Sequence, residues 1–412
     1  MIILLAMTRV IRLPDPLSQN LAHLRASETI ATSAEAKRRK AAGEDVLDLA
    51  VGEPDFDTPA PAAQAGILAI QHGHTRYPPN AGLAELRQAI ARNLSHLSET
   101  GRTLSPDSVV VSTGSKQALF NACFSLFGPK DRVLIPSPCW VSYPQIVHLA
   151  RAEPVFIPGA ADWGLKVSAE DLERHTDKLV RGLILCSPCN PTGAVYTQSE
   201  LKAIAAWARK HEVWVIADEI YRRIFYGAGP APSFLDLLDE DLERTVIITG
   251  ASKAYAMTGW RIGAAIGPTH LVKAMANLQS HVTSGASHPA QWAAVTAFND
   301  PEVEVQVGRM VEAFARRRDR VVHRFREEVP GIEFVEPHGA FYFYFRVDGI
   351  GPRPGLTGST FCEELMRREA VALVPGAAFG DDQWVRLSYA VSERELDEAL
   401  DRILRFVQSY DA

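Results

Sequence analysis

Five short apolar runs between residues 109 and 249 constrain this chain more than any other feature. They are Val109-Val110-Val111, Arg132-Val133-Leu134-Ile135, Leu183-Ile184-Leu185-Cys186, Val213-Trp214-Val215-Ile216-Ala217 and Thr245-Val246-Ile247-Ile248-Thr249. Successive residues within a run are apolar, so both faces of each strand must be covered, whereas a strand with one wet face alternates. Helical patterns lie between them, Lys116 to Phe127 and about Ser199 to Lys210, the second with Thr197 or Ser199 as N-cap. The combination predicts an α/β fold with a mostly parallel central sheet between helix layers.

The pattern changes near residue 300. A long charged helix is predicted over Val303 to Glu328, followed by strands at 341–345, 371–374 and 385–388 and helices near 358–369 and 392–408. That reads as a smaller α+β domain. Residues 20–48 read as helical. The expected division is an N-terminal arm and helix packing on the small domain (1–50), a large α/β domain (51–300) and a small C-terminal α+β domain (301–412).

Composition removes several function classes. The 412 residues are 47% hydrophobic and 22% charged with a net charge of −6, an ordinary globular balance with no basic arm for nucleic acid. The Ala36-Lys37-Arg38-Arg39-Lys40 stretch reads as the solvated face of a helix. Met1 to Met7 is apolar but shorter than the ~20 residues of a membrane span, and it lacks the basic and long apolar regions of a signal peptide. The expectation is a cytoplasmic, soluble protein with an N-terminal extension and Met7 as an alternative start.

In open α/β sheets ligands bind beyond the carboxyl ends of the strands. After the five runs come Ser112-Thr113-Gly114-Ser115-Lys116, Pro136-Ser137-Pro138-Cys139-Trp140, Ser187-Pro188-Cys189-Asn190-Pro191-Thr192-Gly193, Asp218-Glu219-Ile220-Tyr221, and Gly250-Ala251-Ser252-Lys253 with Arg261 eight residues on. Singly, each has a structural explanation: a helix cap, a core tryptophan, a turn aspartate, a surface lysine, an ion-paired arginine. No structural need collects all of them at the same end of different strands. Pyridoxal 5′-phosphate uses that set. It needs a lysine for its Schiff base and a carboxylate beside the pyridinium nitrogen, which keeps the ring charged and able to accept electrons. Its phosphate suits a helix N-terminus and an arginine, and its ring suits an aromatic plate.

The ordered motifs resemble the class I/II aminotransferases of fold type I, in the aspartate/aromatic aminotransferase-like branch. The matching stretches are Val51 to Pro59, Tyr77 with Gly82 to Arg87, Gly114 to Leu119, Ser187 to Gly193, Asp218 to Tyr221, Ser252 to Gly263 and Val385 to Ala390. The likeness runs from about Leu24 to the C-terminus. It implies that Lys253 forms the Schiff base and moves the proton, that Asp218 partners the pyridinium, and that Tyr221 and Asn190 hydrogen-bond the cofactor's phenolate oxygen. It implies that Gly114, Ser115, Lys116, Ser252 and Arg261 form the phosphate cup and that Trp140 stacks on the ring. Arg386 then clamps the substrate α-carboxylate, assisted by Asn190 and the Gly52 backbone. Tyr77 reaches the other subunit's site in a homodimer, with Thr283-Ser284 nearby. The implied reaction is ping-pong transfer of an amino group from an aspartate- or aromatic-type L-amino acid to a 2-oxoglutarate-type 2-oxo acid.

Relatives of the same layout act as lyases or decarboxylases, so that alternative stays open, because the lysine, aspartate and arginine serve them too. A cofactor-sensing regulator would need a DNA-binding domain before Val51, where the chain instead matches the family's own N-terminal segment. Cys186-x-x-Cys189 reads as a core thiol and a loop thiol, since a zinc site needs four ligands and no second pair completes one. For the substrate side chain, Ser27, Thr29, His281 and Arg12 are the polar candidates. Cys139 stands where relatives carry a bulkier aromatic residue, which predicts a wider site.

Overall fold

The computed structural model describes residues 18–25, 28–237, 244–350 and 355–409. Its strands, in chain order, are β1 (Leu47–Asp48), β2 (Val109–Thr113), β3 (Arg132–Ser137), β4 (Glu153–Pro158), β5 (Val180–Cys186), β6 (Trp214–Asp218), β7 (Thr245–Gly250), β8 (Ile262–Ile266), β9 (Phe334–Val335), β10 (Tyr342–Arg346), β11 (Val371–Ala372), β12 (Val374–Pro375) and β13 (Trp384–Ser388). Its α-helices begin with α1 (Glu28–Ala41), α2 (Ala60–Gln71), α3 (Ala84–His96), α4 (Ser115–Leu126), α5 (Ser142–Leu149) and α6 (Ala169–Arg174). They continue with α7 (Gln198–His211), α8 (Thr269–Val282), α9 (His288–Asn299), α10 (Pro301–Glu328), α11 (Gly358–Glu369) and α12 (Glu393–Gln408).

The predicted α/β sheet is present, with seven strands in the order β2-β8-β7-β6-β5-β3-β4. All neighbours pair in parallel except at β8, which runs antiparallel to both β2 and β7. Each face of the sheet has its own core, which is why the middles of the central strands are apolar at successive positions. Val109, Val111, Leu183, Leu185 and Val215 pack on one side with α3, α7 and α9. Val110, Ile184, Ile216, Val246 and Ile248 pack on the other with α4, α5 and α8. Thr197 caps α7 in a capping box with Glu200, as its spacing predicted.

Two strands of this sheet escape a search for apolar runs. The edge strand β4 is largely exposed and carries two prolines, as an edge tolerates and a central strand does not. Strand β8, Ile262-Gly263-Ala264-Ala265-Ile266, has three small residues at its middle and lies against the start of α4: a Cβ on Gly263 would stand 2.1 Å from Ser115 N.

A second, four-stranded antiparallel sheet, β12-β13-β10-β9, packs with α10, α11 and α12 around Phe314, Phe325, Phe343, Phe345 and Phe361. The stretch read as helical over 20–48 is helical only to Ala41; Gly43 turns the chain at φ +89° and residues 47–48 then pair in parallel with β11. The predicted strand at 371–374 is split, its first half pairing with β1 and its second with β13. Ala36 of α1 packs with Tyr344, Val374 and Trp384. Among the described residues, no helix is long and apolar enough to cross a membrane. The N-terminal run Met1 to Met7 lies outside the described residues.

Candidate active site

The carboxyl ends of β5 and β6, the loop after β7 and strand β13 of the second sheet meet in one cleft. Its lining includes Gly52, Ser115, Lys116, Trp140, Asn190, Asp218, Tyr221, Ser252, Lys253, Arg261 and Arg386. Arg261 precedes β8, and because β8 is antiparallel its beginning lies at the same sheet edge as the ends of its neighbours. The parallel order of the other strands does the rest.

Asp218 closes β6 and is 3% exposed. Tyr143 Oη donates to its Oδ2 at 2.7 Å and the Ile220 N–H to its Oδ1 at 3.3 Å. Burial pushes the carboxyl up to about 6, against the opposing pull of those two donors and of the Lys253 charge. Above that pH it is a buried anion with two neutral donors, a group that fits a cationic ring N–H. Tyr143 carries no motif; it falls on the buried face of α5 and only the fold reveals it.

Lys253 follows β7, and its Nζ donates to the Gly52 carbonyl. Desolvation brings its ammonium down to about 8, with Arg386 and Arg261 also lowering it and Glu53 and Asp218 opposing. An amine in that range is partly neutral near neutral pH, which a nucleophile or a base requires.

The anion-binding corner is formed by Gly114, the start of α4 and Arg261. Gly114 is the residue before α4 and adopts φ +81°, and a Cβ there would stand 2.4 Å from Arg261 Nη2. Arg261, itself at φ 58°, donates from Nη1 to Thr258 O at 2.8 Å. Lys116 sits with Nζ 5.0 Å from the Trp140 ring centre. Its ammonium is lowered by burial and then by the Arg261 charge. Two cations that repel each other beside free helix N–H groups fit a dianionic phosphate, which relieves the repulsion. Trp140 meets Tyr143 edge-on with centroids 5.4 Å apart.

Arg386 lies mid-strand in β13 and is 2% exposed. Its Nη1 donates to Asn190 Oδ1 at 2.9 Å and its Nη2 to Ala50 O at 2.7 Å, while Nε is buried with no partner. The guanidinium stands 4.5 Å from the Tyr342 ring centre and 5.0 Å from that of Phe379. Among the described residues no carboxylate pairs with it, so a buried cation with an unmet donor faces the cleft and fits an anionic ligand group. Tyr221 Oη and Tyr342 Oη share a hydrogen bond of 2.8 Å. A Cβ on Gly52 would stand 2.6 Å from Tyr342 Oη, so a larger residue there would displace that hydroxyl. Tyr342 and the α1 residues Ser33 and Lys37 also line the cleft; none carries a motif.

Tyr77 does not join the cleft of its own chain. It is 89% exposed and borders a separate recess with Thr283, Ser284 and His288. Cys139 does not widen the cleft: it is 5% exposed and faces a small internal cavity with Cys186 and Cys189. All five cysteines are free thiols, and among the described residues no group of His, Cys, Asp and Glu could hold a metal ion. Arg12 and Ser27 lie outside the described residues, as does the Thr29 side chain, and His281 does not line the cleft.

Comparison with known proteins gives a family for the chain. Residues 44–403 match the family described as aminotransferase class I and II. The chain is 39% identical over 395 residues to an aspartate aminotransferase of Bacillus subtilis, covering 96% of this chain and 99% of the relative. It is 43% identical to a bifunctional aspartate aminotransferase and glutamate/aspartate-prephenate aminotransferase of Petunia hybrida, covering 94% of this chain and 82% of the relative. The aspartate aminotransferase of Thermus thermophilus, solved with maleate, superposes with a TM-score of 0.89 at 37% identity, covering 94% and 99% of the two chains.

Proposed function

The chain belongs to the class I and II aminotransferases, transaminases that use pyridoxal 5′-phosphate to pass an amino group from an amino acid to a 2-oxo acid, and from that premise we propose how its own residues divide the work. The carrying observation is the meeting of Asp218, Lys253 and Arg386 in one cleft. The relatives are named aminotransferases, so the lyase or decarboxylase alternative is not favoured.

In this reading the start of α4, with Gly114, Ser115, Lys116, Ser252 and Arg261, holds the cofactor phosphate. Trp140 covers the ring, Asp218 holds a proton on its nitrogen, and Asn190 and Tyr221 take its phenolate oxygen. Bound there, the cofactor supplies a carbonyl carbon for the amino group and a ring that accepts the electron pair from the substrate Cα. Arg386, with Asn190 and the Gly52 backbone, binds the substrate carboxylate in a fixed direction, which is catalysis by orientation. Lys253 accepts the Cα proton and returns it, as base and then acid, its lowered pKa keeping part of the amine neutral. Transfer in two halves predicts ping-pong kinetics.

The family likeness supports aspartate as the amino donor and a 2-oxo acid of the 2-oxoglutarate type as acceptor. It also supports a homodimer in which Tyr77 serves the partner's site, a division into segments 1–50, 51–300 and 301–412, and a cytoplasmic location. A panel of amino acids mixed singly with the cofactor-loaded protein tests the reaction. Conversion of the cofactor to its amine form, fastest with aspartate, is expected. Release of ammonia with the cofactor unchanged would mean a lyase. Adding 2-oxoglutarate, oxaloacetate or prephenate to the amine form identifies the acceptor.

A further inference from the structure

Residues 48–52 thread between α1 and β13, and their hydrogen bonds form a line ending on Arg386. Ser33 Oγ of α1 donates to Asp48 Oδ2 at 3.2 Å, and the Ala50 N–H donates to Asp48 Oδ1 at 3.1 Å. The Ala50 carbonyl in turn accepts from Arg386 Nη2 at 2.7 Å. The peptide between residues 49 and 50 is therefore held on both sides, its carbonyl by the Ser388 N–H at 2.9 Å and its N–H by Asp48. Asp48 itself is partly buried in the parallel pair of β1 with β11.

A side-chain bond to the N–H two residues on is a common turn device. Here two further features raise it above a local turn. The other oxygen of the same carboxylate is tied to a helix that lines the cleft through Ser33, Ala34 and Lys37, and the next carbonyl along the chain fixes a guanidinium whose Nε has no partner. We propose that Asp48 is a positioning residue for the substrate-carboxylate site: it sets the Ala50 carbonyl, and through it the orientation of Arg386, and it ties that orientation to α1 through Ser33. The proposal rests on Arg386 as the carboxylate holder. Since amino acid and 2-oxo acid share that carboxylate, Asp48 acts on both alike and leaves discrimination between side chains untouched.

The test uses cofactor-loaded protein and maleate, a dicarboxylate that cannot react, with KM and kcat measured alongside. Asp48→Ala is expected to weaken maleate about tenfold and to raise KM for donor and acceptor by the same factor, with kcat changed less than about threefold. Asp48→Asn keeps an acceptor for Ala50 N–H and a polar group for Ser33, and is expected within about twofold of the parent protein. Ser33→Ala, which severs only the tie to the helix, is expected to weaken maleate by about threefold and carries the test if Asp48→Ala does not fold. Parent-like maleate binding in Asp48→Ala, or in Ser33→Ala when the former is insoluble, overturns the proposal, as does failure of Asp48→Asn to rescue. Arg386→Lys separates the two readings. If it too leaves maleate binding unchanged, the assignment of Arg386 fails; if it alone weakens binding, only the role of Asp48 fails.

Discussion

Tyr143 donates to Asp218 at 2.7 Å from a helix on one face of the sheet to the end of a strand within it. Both residues are almost fully buried, at 2% and 3% exposure. The bond offsets part of the desolvation that pushes Asp218 up to about 6. Tyr143→Phe removes a donor to the ionised form, so the carboxyl moves further up, by about one pH unit for a buried bond of this kind. Asp218 is ionised above its pKa and neutral below it. In cofactor-free protein the acid limb of the pH profile for binding pyridoxal phosphate therefore moves toward neutrality in the variant while the alkaline limb stays in place. An unmoved acid limb would disprove the link between this bond and Asp218.

Lys253 sits at about 8 because its ammonium is desolvated. Only the neutral amine can attack an aldehyde, and its share grows as pH rises through that value. The rate at which cofactor-free protein captures pyridoxal phosphate covalently, trapped with borohydride, is expected to rise with pH and level off above about 8. Lys253→Ala is expected to show no trapped product and no transamination. Trapping on another lysine with retained turnover would contradict the assignment.

Gly114 is held at φ +81° with its α-carbon facing Arg261. Gly114→Ala displaces the guanidinium and strains the turn, the strain costing about 1–2 kcal/mol. Because both act at the phosphate corner, affinity for pyridoxal phosphate is expected to fall by at least about tenfold, while affinity for pyridoxal, which has no phosphate, stays near that of the parent. Equal losses for both ligands would point to a general disruption instead.

Tyr77 gives a test of subunit sharing. In a dimer that pairs a Tyr77→Phe chain with a Lys253→Ala chain, one site is complete only if Tyr77 serves the partner. Mixing the two variants by reversible unfolding yields mixed dimers in about half of the population, so recovery of about one quarter of parent activity is expected at limiting cofactor. No recovery above the separate variants would assign Tyr77 to its own subunit.

What the sequence disclosed follows from where each signal lies. Asp218 and Lys253 were legible because the first ends an apolar run and the second follows one by a few residues, and a charge near a buried strand's carboxyl end is conspicuous. Their common location needed only the parallel order that the runs implied. Arg386 gives no such sign, lying between Val385 and Leu387 inside a buried strand; motif resemblance alone marked it. Strand β8 was hidden because its middle three residues are small where it approaches α4, and β4 because an edge strand need not be apolar. Tyr143 and Tyr342 were invisible for another reason: their contacts, with Asp218 and Tyr221, cross long sequence separations, which no local pattern encodes. Cys139 shows the reverse error, a residue adjacent in sequence to Trp140 whose side chain the backbone turns away from the cleft.

The cleft draws its two kinds of polar group from different structural bodies. Asp218, Lys253, Arg261 and the start of α4 lie in or beside the seven-stranded sheet, whereas Arg386 belongs to the four-stranded sheet, whose aromatic core also takes in Ile220 and Tyr221. A ligand that touches both is a rivet between the two sheets. Its binding energy acts on their relative placement as well as on its own position, so a substrate long enough to span them can tighten the joint, and one that reaches only one side cannot. Thermal stability should accordingly rise more with maleate and cofactor together than the two separate increments add up to.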